Sequence, residues 1–135
     1  MSQENVEIVR SIYAAWGRGD YRSAHWAHPE IEYVIADGPQ PGRWTGLDGM
    51  AQAWSNWLAG AWEDFRVEPE EIRELDDERV LVLVHINAKG RSSGLDLDQM
   101  RARGVAIFHV RDSKVTRFIA YWDRNRALAD LGLSE

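Results

Sequence analysis

The stretch Arg79-Val-Leu-Val-Leu-Val-His-Ile-Asn-Ala-Lys89 decides how the rest of this chain is interpreted. Its even positions from Val80 to Ala88 are all apolar, whereas its odd positions become polar after Leu83. This alternation predicts a β-strand with one buried face and a second face that is apolar over part of its length. A sheet that is apolar on both faces needs cover on both, and we expect a second copy of the chain to provide it.

Three further segments around this stretch are predicted to be strands. Short polar runs that are typical of hairpin turns, Asp76–Glu78 and Arg111–Ser113, separate several of them. The predicted strands are Phe65–Leu75, Leu97–Val110 and Lys114–Trp122.

Helical spacing dominates the N-terminal part of the chain. Helices are predicted at Ser2–Trp16, at Tyr21–Ala27 after an Asp20 N-cap, and from Leu47 or Asp48 to Ala61. A strand is predicted at Ile31–Ile35, and a short C-terminal helix at Asp123–Leu131, ended by Gly132. Helices followed by an antiparallel meander indicate an α+β fold, and residues 1–135 are predicted to form a single domain.

Composition excludes several classes of function. A net charge of -6 gives no basic footprint for nucleic acid and argues against an anionic membrane surface. The sequence has no cysteine, which excludes disulfides and thiolate chemistry. A polar, acidic N-terminus without an apolar run favours a cytoplasmic location.

Tryptophan is the compositional outlier. Seven tryptophans in 135 residues exceed ordinary usage several-fold. A small core seldom needs so many large rings, so some of them are expected to line a cavity or an interface. The alternative is that all seven serve ordinary packing.

Motifs along the whole chain resemble those of a known family. They are Gly19-Asp20, His28-Pro29-Glu30-Ile31-Glu32-Tyr33, Trp44-Thr45-Gly46, Asp112-Ser113-Lys114-Val115, Ala120-Tyr121-Trp122-Asp123 and Leu131-Gly132. In order and spacing the chain resembles the nuclear transport factor two-like superfamily, within its SnoaL-like polyketide cyclase and ketosteroid isomerase-like branch.

The resemblance implies a cone-shaped, strongly curved, mixed or antiparallel sheet. Three N-terminal helices would pack on its concave face, and members are commonly homodimers without a metal or other cofactor. A small apolar organic molecule would bind in the cone. Combined with strand parity, the resemblance implies that the cone is lined by Tyr13, Trp16, Tyr33, Trp54, Trp57, Gly104, Ala106, Phe108, Phe118, Ala120 and Trp122.

Asp123 is the first candidate for acid–base chemistry. SnoaL-type cyclases carry a catalytic aspartate eight residues before a Leu-Gly pair, and Asp123 has this spacing to Leu131-Gly132. A carboxylate desolvated at the mouth of an apolar cone suits proton abstraction next to a carbonyl. The alternative reading is that Asp123 caps the C-terminal helix.

Other chemistries of the superfamily fit the sequence less well. A ketosteroid isomerase needs a carboxylate base on the first strand, where Tyr33 or Val34 stands, and an oxyanion acid near Ala106. Tyr13 and Tyr33 remain as oxyanion donors, and Asp37 is the nearest carboxylate to the missing base. The epoxide hydrolase pattern of two aspartates around an arginine finds only the residue types Asp98, Arg101, Arg103 and Asp123, without the spacing.

The histidines do not predict a metal site. His25, His28 and Glu30 are close in sequence but stand on a polar turn, and His85 and His109 fall on the strand faces opposite the expected cavity.

Two functions therefore remain. One is a cofactor-free isomerase, cyclase or lyase that transfers protons on an apolar, carbonyl-bearing substrate; the other is a non-catalytic ligand-binding or dimerisation domain.

Overall fold

The computed structural model describes residues 2–18, 20, 25–37, 41–55, 62–90 and 102–132. Within these ranges the chain forms three helices and six strands. In chain order they are α1 (Ser2–Gly17), β1 (Ala27–Ile35), β2 (Gly42–Thr45), α2 (Gly46–Ser55), β3 (Trp62–Glu74), β4 (Arg79–Gly90), β5 (Ala102–Arg111), β6 (Lys114–Tyr121) and α3 (Arg124–Leu131).

The six strands form one open sheet in the order β2-β1-β6-β5-β4-β3. Strand β1 runs parallel to β6, and the other neighbouring pairs are antiparallel. The sheet is therefore mixed, and together with the helices it gives the α+β cone that was predicted.

Both predicted hairpin turns are present. Between β3 and β4, Asp76 Oδ1 accepts hydrogen bonds from the backbone N–H groups of Glu78 at 2.9 Å and Arg79 at 2.8 Å. Between β5 and β6, Asp112 and Ser113 have φ of 52° and 65°. Two consecutive positive φ values match the twist of the flanking strands, as in type I′ turns.

The inner face of the sheet, defined here as the face toward α1 and α2, carries the main core. Helix α1 buries Val9, Ile12, Tyr13 and Trp16 on one stripe, as its helical spacing predicts. These side chains pack against the even-numbered residues of β4 and β5, including Val80, Val82 and Phe108.

The outer face, toward α3, carries a smaller core. Leu81, Leu83, Val105 and Ile107 pack there with Ala127 of α3. Leu81 is completely buried and Leu83 is 8% exposed. Both leucines are therefore already buried within a single chain, in the cluster that includes Ala127 of α3, so their burial does not require a second copy.

The second predicted helix is wrong at its C-terminal end. Residues 21–24 lie outside the described ranges, but His25 and Trp26 form a turn and β1 already begins at Ala27. Ala27 pairs with Val115 of β6, whose N–H donates to the Trp26 carbonyl at 2.8 Å. Sheet pairing and burial of Trp26 thus override the local helical preference. Of the three expected N-terminal helices, α1 and α2 are described.

Two other boundaries differ from expectation. Gly42–Thr45, expected only to lead into a helix, is a strand that pairs with Glu32–Ile35. Helix α2 begins at Gly46, and its expected extension to Ala61 lies outside the described residues after Ser55. Within the described ranges, no helix is long and apolar enough to cross a bilayer.

Candidate functional site

A cavity of about 100 Å³ lies between the inner face of the sheet and the helices α1 and α2. Its walls are almost entirely apolar, and aromatic side chains dominate them. The aromatic lining residues are Tyr13, Trp16, Tyr33, Trp54, Phe118, Tyr121 and Trp122. The aliphatic lining residues are Ile35, Val67, Val84, Ile86, Val105, Ala106 and Ala120.

The structure brings most of the sequence-predicted wall residues together. Trp16, Trp54, Phe118 and Trp122 line the cavity, as do Ala106 and Ala120. Trp57 lies outside the described residues.

Phe108 and Gly104 occupy other positions than the expected walls. Phe108 is completely buried one layer deeper, with its ring stacked on Phe118 at a centroid distance of 4.5 Å. At Gly104 the backbone approaches β6 so closely that an added Cβ would stand 2.3 Å from the Tyr121 carbonyl oxygen. Gly104 therefore allows the close contact between β5 and β6.

Ring-to-ring contacts fix the shape of the cavity. The Trp16 ring meets the Tyr13 ring at 4.9 Å and the Trp54 ring at 5.3 Å, both edge to face. Tyr33 packs against Phe118 at 5.1 Å. These are the separations and angles that aromatic pairs prefer, so each ring holds its neighbour in place.

Two tyrosine hydroxyls are the notable polar groups of this lining. The Tyr13 hydroxyl is buried and has no hydrogen-bond partner among the described residues. The Tyr33 hydroxyl accepts a hydrogen bond from the Trp54 indole, which can only donate. Tyr33 also interacts electrostatically with Tyr13, so the two phenols are neighbours.

Burial keeps both phenols protonated. Desolvation raises the pKa of Tyr13 far above its ordinary value, and the nearby Tyr33 raises it further. Desolvation likewise raises the pKa of Tyr33, against a smaller opposing effect of the Trp54 hydrogen bond. At neutral pH both cavity-lining tyrosines therefore carry uncharged O–H groups.

The sequence predicted that Asp123 is desolvated at the mouth of the cone, but the structure places it at the surface. Asp123 is exposed, and its Oδ1 accepts from the Arg126 N–H at 3.3 Å, so it is the N-cap of α3. A cap position requires the carboxylate to point to the free N–H groups of the helix, which here start at the surface.

Asp37 is a buried carboxylate. From the sequence it was expected only to be the carboxylate nearest to the missing base of a ketosteroid isomerase. It is 8% exposed, and it accepts from the backbone N–H groups of Trp122 at 2.5 Å and Asp123 at 3.2 Å. Both of its oxygens thus tie the end of β1 to the end of β6. No local sequence signal could have revealed these partners, which lie more than eighty residues away.

The remaining candidates that the structure describes are not lining residues of the cavity. His28 Nδ1 accepts from the Glu30 N–H at 2.9 Å, and no three metal-ligating side chains cluster within the described part of the chain. Asp98 and Arg101 fall outside the described residues, while Arg103 is exposed.

A buried arginine links α3 to three strands. Arg124 is 5% exposed, and its guanidinium donates to the carbonyl oxygens of Val84 at 3.0 Å and Gly104 at 3.4 Å. It also forms an ion pair with Glu70, whose other oxygen lies 3.2 Å from His85 Nε2. The hydrogen bond from Arg124 is the main reason that the pKa of Glu70 is lowered.

An open, mixed sheet with helices that close an apolar cavity defines a class of protein, the α+β cone of the nuclear transport factor two-like fold. Residues 9–118 match the family model of the SnoaL-like domain, and the chain belongs to that family. No curated protein has a significantly similar sequence.

Solved structures support the same assignment. A nuclear transport factor two-like protein from Burkholderia xenovorans LB400 is 29% identical, with a TM-score of 0.71 over 96% of each chain. A candidate polyketide cyclase from Xanthomonas campestris pv. campestris is 22% identical, with a TM-score of 0.68 over 95% of this chain and 96% of that one. TerC, co-crystallised with polyporic acid, is 22% identical with a TM-score of 0.75 over 95% and 97%. These likenesses indicate a fold of the cyclase and isomerase type.

Proposed function

We propose that the cavity binds a small, apolar organic molecule with a carbonyl oxygen, and that Tyr13 and Tyr33 hold this oxygen. The observation that carries the proposal is the buried Tyr13 hydroxyl without a partner. A buried polar group left unsatisfied costs about 1–3 kcal/mol, which a ligand acceptor would offset. TerC, which shares the fold, was crystallised with a small organic molecule.

Tyr33 supplies the second donor. Its hydroxyl oxygen accepts from the Trp54 indole, so its own hydrogen is directed elsewhere and can reach a ligand. Trp54 is therefore a positioning residue: it orients the Tyr33 hydroxyl and strengthens it as a donor.

The reaction that this arrangement supports is proton transfer next to the carbonyl. Two neutral donors on one oxygen stabilise the negative charge that develops there when a proton leaves the adjacent carbon. Asp123, which directly follows the cavity-lining Trp122, is the base that we propose, and to act it would turn from the N-cap of α3 toward the cavity. Asp37 is less suited because both of its oxygens already accept backbone hydrogen bonds.

Ligand titrations followed by tryptophan fluorescence test the binding. A ketone should quench the tryptophan fluorescence in a saturable manner. The Tyr13→Phe variant should bind the ketone up to about 10-fold more weakly, which corresponds to the net free energy of one hydrogen bond. A hydrocarbon with the same skeleton should bind wild type and Tyr13→Phe equally.

Tyr121→Phe is the matched control. Tyr121 also lines the cavity, but its hydroxyl bonds to Asp130 of α3 at 3.1 Å and so points away. Ketone binding should be unchanged in this variant. If Tyr13→Phe weakened the binding of the hydrocarbon as much as that of the ketone, the proposed role of Tyr13 as a hydrogen-bond donor would be wrong.

A second candidate function is ligand binding without chemistry. Among the described residues that line the cavity, none is Asp, Glu, His, Lys or Arg. Proton nuclear magnetic resonance of a bound ketone in heavy water separates the two functions. Protein-dependent deuterium exchange at the carbon next to the carbonyl supports proton transfer, and binding without exchange supports a binding domain.

A further inference from the structure

The size of the cavity restricts what it can bind. Its volume is about 100 Å³, and it is partly open to the surface. An engineered protein cavity of about 150 Å³ with apolar walls takes one benzene molecule. We infer that the ligand of the proposed function, on which this inference rests, is an uncharged ketone or enone with a single ring, and not a fused-ring compound such as a steroid.

The walls oppose enlargement. Phe118 is held from behind by the stacked Phe108 ring at 4.5 Å and from the side by Tyr33 at 5.1 Å. Trp16 in turn contacts Trp54 at 5.3 Å. A second fused ring would fit wholly inside these walls only if at least one of the wall rings left its neighbours, and close-packed interiors resist such shifts.

The lining also selects for an uncharged ligand. Within the described part of the lining, the side chains bear no charge, and the phenols of Tyr13 and Tyr33 stay neutral because burial disfavours their ionisation. A carboxylate or ammonium group would lose its hydration there without gaining a counter-charge. A ketone loses little hydration free energy in the cavity, and its oxygen regains hydrogen bonds there.

A size series of ketones tests the inference on the full chain. Cyclohex-2-enone, 1-decalone and a 3-ketosteroid are titrated by calorimetry and tryptophan fluorescence, up to millimolar concentration for the smallest. We expect saturable binding of cyclohexenone and no binding of the steroid. Decalone has a larger apolar area, which alone would make it bind more tightly than cyclohexenone. We expect the affinity for decalone to be at least about 10-fold lower than this area predicts.

The outcomes separate this inference from the proposed function. Tighter binding of decalone or the steroid than of cyclohexenone would overturn the one-ring limit and leave carbonyl binding intact. Absence of binding by all three ketones would overturn both.

A pair of valine variants tests whether the wall sets the limit. Val84 and Val82 stand on the same face of β4 and are both buried, but only Val84 is a lining residue. Val84→Ala should raise the affinity for decalone relative to cyclohexenone by about 10-fold, because two methyl groups leave the wall. Val82→Ala should leave this ratio unchanged. An equal shift in both variants would show that general loosening, not the wall, controls ligand size.

Discussion

At the scale of single residues, Asp123 has two roles to reconcile. Its carboxylate caps α3 through the Arg126 N–H, and it follows Trp122, which lines the cavity. A capping carboxylate that also removes protons would have to leave the helix terminus during turnover. The two roles can be separated because asparagine caps a helix almost as well as aspartate but is not a base.

Asp123→Asn and Asp123→Ala form the test at this scale. The free energy of unfolding should stay within a few tenths of a kcal/mol for Asp123→Asn, and fall by about 0.5–2 kcal/mol for Asp123→Ala. Deuterium exchange into a bound ketone should drop by about 10²-fold or more in both variants. Full exchange activity in Asp123→Asn would remove Asp123 as the base and leave it as a cap.

Residue chemistry was predictable from sequence where local spacing determines it. The family resemblance, combined with helical spacing on α1 and alternation in β6, placed Tyr13, Trp16, Phe118 and Ala120 on the wall of the cone, and these four residues line the cavity. The burial of Asp37 depends on two N–H groups far along the chain, and the depth of Phe108 depends on the ring that covers it. Sequence patterns contain no information on either partner.

At the scale of elements, α3 depends on an ionic anchor. Arg124, at its first turn, reaches the carbonyl groups of β4 and β5 and the carboxylate of Glu70 on β3. The buried guanidinium needs a counter-charge, because an unpaired buried charge is strongly unfavourable. Glu70 thus secures the helix that covers the outer face.

Glu70→Gln should show this dependence as a function of pH. The pKa of Glu70 is lowered in the folded protein, so its carboxylate stabilises the fold above its unfolded pKa of about 4.3. The stabilisation is lost as the pH falls through the folded-state pKa. The melting temperature of Glu70→Gln should therefore lie below that of wild type at pH 7, and the difference should shrink below about pH 4.

Glu71→Gln is the control for this experiment. Glu71 pairs with Arg73 at 2.6 Å, but both side chains are substantially exposed. Exposed pairs contribute little, so the melting temperature of this variant should stay close to that of wild type at every pH. A pH-independent difference for Glu70→Gln would mean that its charge is not what stabilises α3.

Elements were predictable where a pattern runs unbroken. The alternation of β4 and the glycine after Leu131 gave the right strand and the right helix end, where Gly132 has φ of 70°. Strand β1 could not be delimited because a register irregularity between Ala27 and Glu32 contains Pro29, which has no N–H for the ladder. The parallel pairing of β1 with β6 is equally invisible to local patterns.

At the scale of the whole molecule, a homodimer remains a prediction from the family resemblance. Leu81 and Leu83 are buried within the chain, but Ile119, Leu75 and Leu131 at the edge of the outer core are only partly buried. Sedimentation equilibrium should give twice the chain mass of 15.5 kDa. A single species of 15.5 kDa at micromolar concentration would contradict the prediction.

The strict alternation of β4 has a consequence for protein engineering. Val84 and Ile86 line the cavity, whereas Leu81 and Leu83, which precede them in the chain, lie in the outer core with Ala127 of α3. A gene library that randomises only codons 84 and 86 would diversify recognition, while Leu81, Leu83 and the deeper core positions Val80 and Val82 preserve foldability. Ligand selectivity and foldability thus depend on separate positions of one strand, and the first can change without the second.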